Sequence, residues 1–141
     1  MLIDLDDFKT VNDTGGHQFG DSLLVKCAAL MRRELRQTDV ICRYGGDEFG
    51  VIMPETTGAS ARSMMGRLSG AFAELGEREG APAAFGMSFG LSAHPEDDGL
   101  LTRLVKTADE RLLLNKRLKK KSPALTPRPE LMAEAPLAVR G

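Results

Sequence analysis

The feature that most constrains this chain is a pair of glycines set between two strand-like runs. Residues 39–43 (Asp-Val-Ile-Cys-Arg) and 48–53 (Glu-Phe-Gly-Val-Ile-Met) are rich in apolar and β-branched side chains, and Tyr44-Gly45-Gly46-Asp47 separates them. Adjacent glycines supply the positive φ that tight hairpin turns favour. The spacing therefore predicts a β-hairpin. So short a link leaves no room for a crossover helix, so the two strands pair antiparallel.

The rest of the chain reads as elements that can cover such a sheet. Residues 1–5 form a short apolar strand. A short helix follows around Asp7–Thr14, then a glycine-rich loop through Gly15, Gly16 and Gly20. Residues 21–36 read as a helix, with Leu23, Leu24, Cys27, Ala28, Met31 and Leu35 on one face and Asp21 as N-cap. Residues 58–76 carry a second apolar stripe, and residues 101–119 a third. Residues 83–93 read as a strand whose two glycines predict a bulge or a close backbone approach. The order is strand, helix, hairpin, helix, strand, helix: an α/β (α+β) sandwich on a mixed or antiparallel sheet. Residues 1–121 then form the domain. Residues 122–141, with four of the seven prolines and no period, read as a disordered tail.

Composition narrows the function. The chain has 141 residues, 42% hydrophobic and 28% charged, as expected of a globular domain. Its net charge of -1 argues against general nucleic-acid binding, which needs a basic excess. No apolar run is long enough to cross a membrane, and Met1–Lys9 lacks the pattern of a secretory signal. Cys27 and Cys42 make no framework and both sit among apolar residues, so each is expected to be a reduced, buried thiol of a cytoplasmic protein. Met1 leads straight into a strand, and domains rarely start in mid-element. An N-terminal segment is therefore expected to be missing, leaving apolar sheet surface exposed and stability marginal.

The chemistry concentrates in two acidic clusters: Asp4-Leu5-Asp6-Asp7 where the first strand ends, and Asp47-Glu48 at the hairpin tip. Like charges repel, and ionised carboxylates are costly to bury. A hard cation such as Mg²⁺ relieves both costs and prefers oxygen donors completed by substrate phosphates. The plainer alternative is a solvated acidic edge beside an ordinary β-turn. Other motifs fail: an EF-hand loop begun at Asp4 would have Phe8 and Lys9 at its fifth and sixth positions, and His17 breaks a GxGxxG reading of residues 15–20.

The runs Asp4-Leu5-Asp6-Asp7-Phe8-Lys9, Val11-Asn12-Asp13, Gly16-His17, Gly20-Asp21 and Arg43-Tyr44-Gly45-Gly46-Asp47-Glu48-Phe49 closely resemble the GGDEF family of bacterial diguanylate cyclases, as do Ser88-Phe89-Gly90 and Ala108-Asp109 further on. The resemblance covers about residues 1–121. It implies a nucleotide-cyclase-like, ferredoxin-like, mostly antiparallel sheet flanked by helices. It also implies an enzyme that condenses two GTP into cyclic di-GMP, releasing pyrophosphate, with Mg²⁺ (or Mn²⁺) as cofactor. Two such domains must meet as a homodimer, each holding one GTP.

By that resemblance Asp4, Asp47, Glu48 and the Leu5 backbone carbonyl are metal ligands. Asp47 is the candidate to accept the hydroxyl proton, with Glu48 beside it. Asn12 and Asp21 are the guanine readers, His17 lies close to the nucleotide, Lys9 and Lys116 meet phosphates, and Gly45 and Gly46 let the backbone approach the ligand. Arg36-Gln37-Thr38-Asp39 matches the family's RxxD product-inhibition site, with Arg67 as a further contact to bound product. A sensor or dimerisation domain is expected upstream.

Some positions depart from the family. Gly15 stands where an aromatic is common. Leu112 to Lys121 keeps Lys116 but loses a tyrosine and carries Lys120 in place of a phosphate-contacting arginine. These departures keep open a second reading, a weak or inactive module that binds cyclic di-GMP or GTP as a sensor.

Overall fold

The computed structural model describes residues 1–121. Eight elements follow one another: β1 (Leu2–Asp6), α1 (Phe8–Gly15), α2 (His17–Glu34), β2 (Val40–Arg43), β3 (Glu48–Ile52), α3 (Gly58–Glu79), β4 (Gly86–Gly90) and α4 (Leu101–Lys121). The strands form one sheet in the order β2-β3-β1-β4, and every neighbouring pair is antiparallel. The hairpin reading, the antiparallel sheet and the flanking helices are thus all present. The expected tail, residues 122–141, lies outside the described residues.

Strand alternation divides the sheet into two unlike faces. Ile3, Leu5, Phe49, Val51, Met87 and Phe89 point to one side, where they form one core with Leu23, Cys27 and Met31 of α2 and with Met65, Leu68 and Phe72 of α3. The opposite face carries Asp4, Asp6, Glu48, Ser88 and Gly90. Helix α4 packs there against β4 and β1. It sits very close: a Cβ on Gly90 would lie 1.8 Å from the Ala108 carbonyl oxygen, so only glycine allows this contact. Beyond the reach of α4, Val40 and Ile52 pair across β2 and β3 and stay 55% and 60% exposed.

Several boundaries differ from the sequence reading. The loop expected up to Gly20 is nearly absent: α2 begins at His17, directly after Gly16 at φ 79°. Asp21 is therefore a residue inside α2 and not its N-cap. β4 runs over residues 86–90 in unbroken register with β1, so it has no bulge, and Gly90 marks the close approach of α4. The hairpin link is also longer than a two-residue turn. Arg43 pairs with Phe49, and neither Gly45 nor Gly46 has positive φ. Cys42 lies exposed on β2, because β2 is the sheet edge and α4 does not reach it; only Cys27 is buried.

Helix ends follow local chemistry. Thr57 caps α3 by accepting the Ser60 N–H at 3.2 Å, and Gly80 closes it in the left-handed region at φ 71°. Among the described residues no helix is long and apolar enough to cross a membrane.

Candidate functional site

The two acidic clusters meet at one end of the sheet. β1 ends beside the start of β3, and Asp4 stands directly opposite Glu48 in the register. Directly opposed side chains of an antiparallel pair have Cβ atoms about 5 Å apart, and like charges there destabilise the sheet. The Leu5 N–H donates to the Asp47 carbonyl at 3.1 Å, which fastens the hairpin link to β1.

The link itself is organised by two side chains. Arg43 donates from Nε to the Gly45 carbonyl at 3.2 Å, and from Nη2 to the Gly46 carbonyl at 2.7 Å. The Tyr44 N–H donates to the Glu48 carbonyl at 2.8 Å. A Cβ on Gly45 would lie 2.6 Å from Glu48 Oε2, whereas one on Gly46 would meet nothing within 4 Å. The Glu48 carboxylate thus lies over Gly45 and would have to move for a side chain there, while Gly46 leaves open space.

Asp4 is buried, and burial pushes its carboxyl above the ordinary range; the charges of Asp47 and Asp6 push the same way, and Lys116 opposes them. Lys116 Nζ lies 2.7 Å from Asp4 Oδ2. Asp6, two residues on and therefore on the same face, is held at both oxygens: Ser88 Oγ donates to Oδ1 and Lys119 Nζ to Oδ2, each at 2.6 Å. Sequence reasoning assigned no role to Asp6, Ser88 or Lys119. The available signal was the coincidence of two periods, Asp4 and Asp6 on one strand face and Lys116 and Lys119 on one helix face.

Of the expected nucleotide-binding residues, Lys9 and Asn12 lie on α1 and His17 and Asp21 on α2, while Lys116 lies on α4 and Gly45 and Gly46 in the hairpin link. A Cβ on Gly20 would fall 2.0 Å from Asn12 Oδ1, so Asn12 lies against α2 at Gly20, the residue before Asp21. His17 opens α2 and is exposed. Lys9 pairs with Asp13 at 3.0 Å on the outer face of α1. Arg36 and Asp39 share a self-closed turn: the Arg36 N–H donates to Asp39 Oδ2 at 2.8 Å, and the Asp39 N–H to the Arg36 carbonyl at 3.0 Å. Asp39 Oδ1 is shielded from solvent and has no hydrogen-bond partner among the described residues. Arg67 is exposed on a different element, α3.

The model of the family described as diguanylate cyclase, GGDEF domain, matches residues 1–122. The chain belongs to the GGDEF family. Its GGDEF domain is 33% identical over 119 residues to the diguanylate cyclase TpbB of Pseudomonas aeruginosa, covering 83% of this chain and 27% of that protein. It is 40% identical over 115 residues to the response regulator PleD of Caulobacter vibrioides, covering 78% of this chain and 25% of PleD. The chain thus spans about a quarter of the length of these relatives. Among solved structures, the GGDEF domain of TpbB superposes with a TM-score of 0.73 at 32% identity, covering 83% of this chain and 74% of that one. The GGDEF domain of DgcB from Caulobacter crescentus, solved in complex with c-di-GMP, gives a TM-score of 0.68 at 26% identity, covering 82% and 70%.

The donor chemistry of this GGDEF site suits Mg²⁺. Asp4, Asp47, Glu48 and the Leu5 carbonyl offer hard oxygens, and Mg²⁺ is commonly held by only one or two carboxylates plus substrate phosphates and water. Among the described residues no three acidic, histidine or cysteine side chains converge on one point.

Proposed function

We propose that this domain is a diguanylate cyclase: two GTP molecules, one on each of two facing copies, become cyclic di-GMP and two pyrophosphates. In each half-reaction the 3′-oxygen of one GTP bonds to the α-phosphorus of the other, and the bond from that phosphorus to the pyrophosphate oxygen breaks. The observation that carries this reading is the opposition of Asp4 and Glu48 across β1 and β3, with Asp47 fastened beside them through the Leu5 N–H.

Asp4, Asp47, Glu48 and the Leu5 carbonyl would hold Mg²⁺, which, when bound, neutralises triphosphate charge and favours ionisation of the attacking hydroxyl. Asp47 accepts the 3′-hydroxyl proton. Asn12 and Asp21, brought to one corner by the close packing at Gly20, offer an amide and a carboxylate to the guanine edge. Lys116 leaves Asp4 for a phosphate oxygen; Lys9 exchanges Asp13 in the same way. His17 lies beside the nucleotide at the start of α2. Gly46, with open space around it, lets the base and sugar approach the backbone. The protein works in the cytoplasm, under a sensor or dimerisation domain.

Product inhibition is proposed at Arg36 and Asp39. The exposed Arg36 guanidinium supplies a planar donor fork for phosphate and the guanine Hoogsteen edge. Asp39 Oδ1, shielded in the closed turn and without a partner among the described residues, would accept from guanine N–H groups once the turn opens to the ligand. Arg67 adds a cation from α3.

A second reading is a binding module with little turnover. It is favoured by the end of α4, where Lys120 is exposed and lacks the bidentate geometry of arginine. Incubation with GTP and Mg²⁺ separates the two: cyclic di-GMP that disappears in Asp47→Ala supports the cyclase. Tight cyclic di-GMP binding lost in Arg36→Ala, without product formation, supports the module.

A further inference from the structure

Resting on the cyclase reading, we propose that Ser88, Asp6 and Lys119 form a brace that sets the Leu5 carbonyl and holds Lys116 within reach of the triphosphate; all three are positioning residues.

Asp6 is the last residue of β1. Immediately after it the chain leaves the strand through Asp7, a non-glycine residue at φ 57°. L-residues visit that conformation sparsely, and at Asp7 it is supported locally by the Thr10 hydroxyl, which donates to Asp7 Oδ1 at 2.7 Å. Across β4, Asp6 faces Gly86, which offers no side chain to pack against. Besides the β1–β4 pairing, what holds Asp6 is its carboxylate. Ser88 Oγ, on a fully buried residue, donates to Oδ1, and Lys119 Nζ donates to Oδ2. Lys119 Nζ also donates to the Met87 carbonyl at 2.5 Å, so one ammonium ties β1, β4 and α4 together. Hydrogen bonds to ionised groups are shorter and stronger than neutral ones, and this cluster contains both an anion and a cation.

The brace bears on the site through one peptide. The Leu5 carbonyl belongs to the Leu5–Asp6 peptide. The Leu5 N–H is held by the Asp47 carbonyl and the Asp6 side chain by the brace, so the orientation of that carbonyl is set from both sides. The brace also docks α4. Lys116 lies one turn before Lys119 and pairs with Asp4 at 2.7 Å. When Lys116 exchanges Asp4 for phosphate, Lys119 keeps the helix on the sheet. The two lysines thus divide the work: one is exchangeable, and the other is anchored by two acceptors.

The test is calorimetric titration of the chain with 3′-deoxy-GTP, which cannot be condensed, at graded Mg²⁺. Variants are Lys119→Ala, Lys119→Arg and Ser88→Ala, each first shown folded by its urea transition. Outer-shell partners of metal ligands typically matter at about tenfold, so Lys119→Ala is expected to weaken Mg²⁺-dependent binding about tenfold. Lys119→Arg, which can still reach both acceptors, should restore most of it. If Lys119→Ala does not fold, Ser88→Ala, a loss of one hydroxyl, carries the test with a smaller loss of the same sign. Lowered stability with unchanged Mg²⁺-dependent binding would make the cluster merely structural and overturn the proposal. A wild-type chain that binds no 3′-deoxy-GTP would overturn the cyclase reading and the brace with it; wild-type binding equalled by Lys119→Ala would overturn the brace alone.

Discussion

Lys116 Nζ lies 2.7 Å from Asp4 Oδ2, so a cation from α4 already occupies the carboxylate that is proposed to hold the metal. Two outcomes of opposite sign follow from removing it. Lys116→Met keeps the apolar stem and deletes the charge. Without nucleotide, Mn²⁺ should then bind Asp4 a few-fold more tightly, because a competitor is gone. With Mg²⁺ present, 3′-deoxy-GTP should bind about tenfold more weakly, because a charge-assisted phosphate contact is lost. Electron paramagnetic titration of Mn²⁺ and calorimetry of the nucleotide check the two halves. Weakening of both would contradict the exchange.

Asp4 should cost the protein stability. Its carboxyl is raised by burial first, and then by Asp47 and Asp6. A carboxyl raised on folding binds its proton more tightly in the folded than in the unfolded state. Stability therefore falls as pH climbs from the ordinary aspartate value through the raised one, and stays lowered above it. At neutral pH Asp4→Asn removes that penalty, and the partly exposed Lys116 can hydrate. The urea midpoint of the metal-free chain should rise by roughly a few tenths molar, with the gain shrinking in acid. A lower midpoint at pH 7 would contradict the sign.

Gly90 and Gly46 form a matched pair of glycine tests. At Gly90 a methyl would strike the Ala108 carbonyl oxygen and approach the Leu112 nitrogen to 2.5 Å, both backbone atoms that cannot rotate away. Gly90→Ala should lose about 3 kcal/mol in chemical denaturation. Gly46→Ala, with nothing within 4 Å, should change stability by under about 0.5 kcal/mol while still hindering the approach of substrate.

The two cysteines differ in environment and should differ in reactivity. Burial pushes the Cys27 thiol up to about 12, whereas Cys42 is exposed on the edge strand. A thiol reagent under native conditions should modify Cys42 alone, and a second equivalent should react only in denaturant, as mass spectrometry of the labelled peptides would read. Native labelling of Cys27 would contradict the core assignment.

The contrast between those cysteines shows where the sequence was legible. The helix stripes and the hairpin were readable because 3.6- and 2-residue periods are local properties. Cys42 lies in a similarly apolar run, but its exposure depends on which strand forms the edge and how far α4 reaches, and neither is local. The start of α2 at His17 was hidden for a related reason: glycines at 15, 16 and 20 mimic a loop, while Gly20 serves to admit Asn12. The acidic clusters identified the site, since carboxylates gathered at strand ends have no packing purpose. Lys119 did not stand out, because a lysine near the end of a helix ordinarily faces water.

The central claim is tested most directly by the rate of cyclic di-GMP formation from GTP and Mg²⁺ as a function of chain concentration. Two half-sites must meet, so the account predicts a rate that rises with the square of concentration while the chains are mostly apart, and that vanishes in Asp47→Ala. A chain that binds GTP yet forms no product at any concentration, or forms product equally well without Asp47, would contradict it.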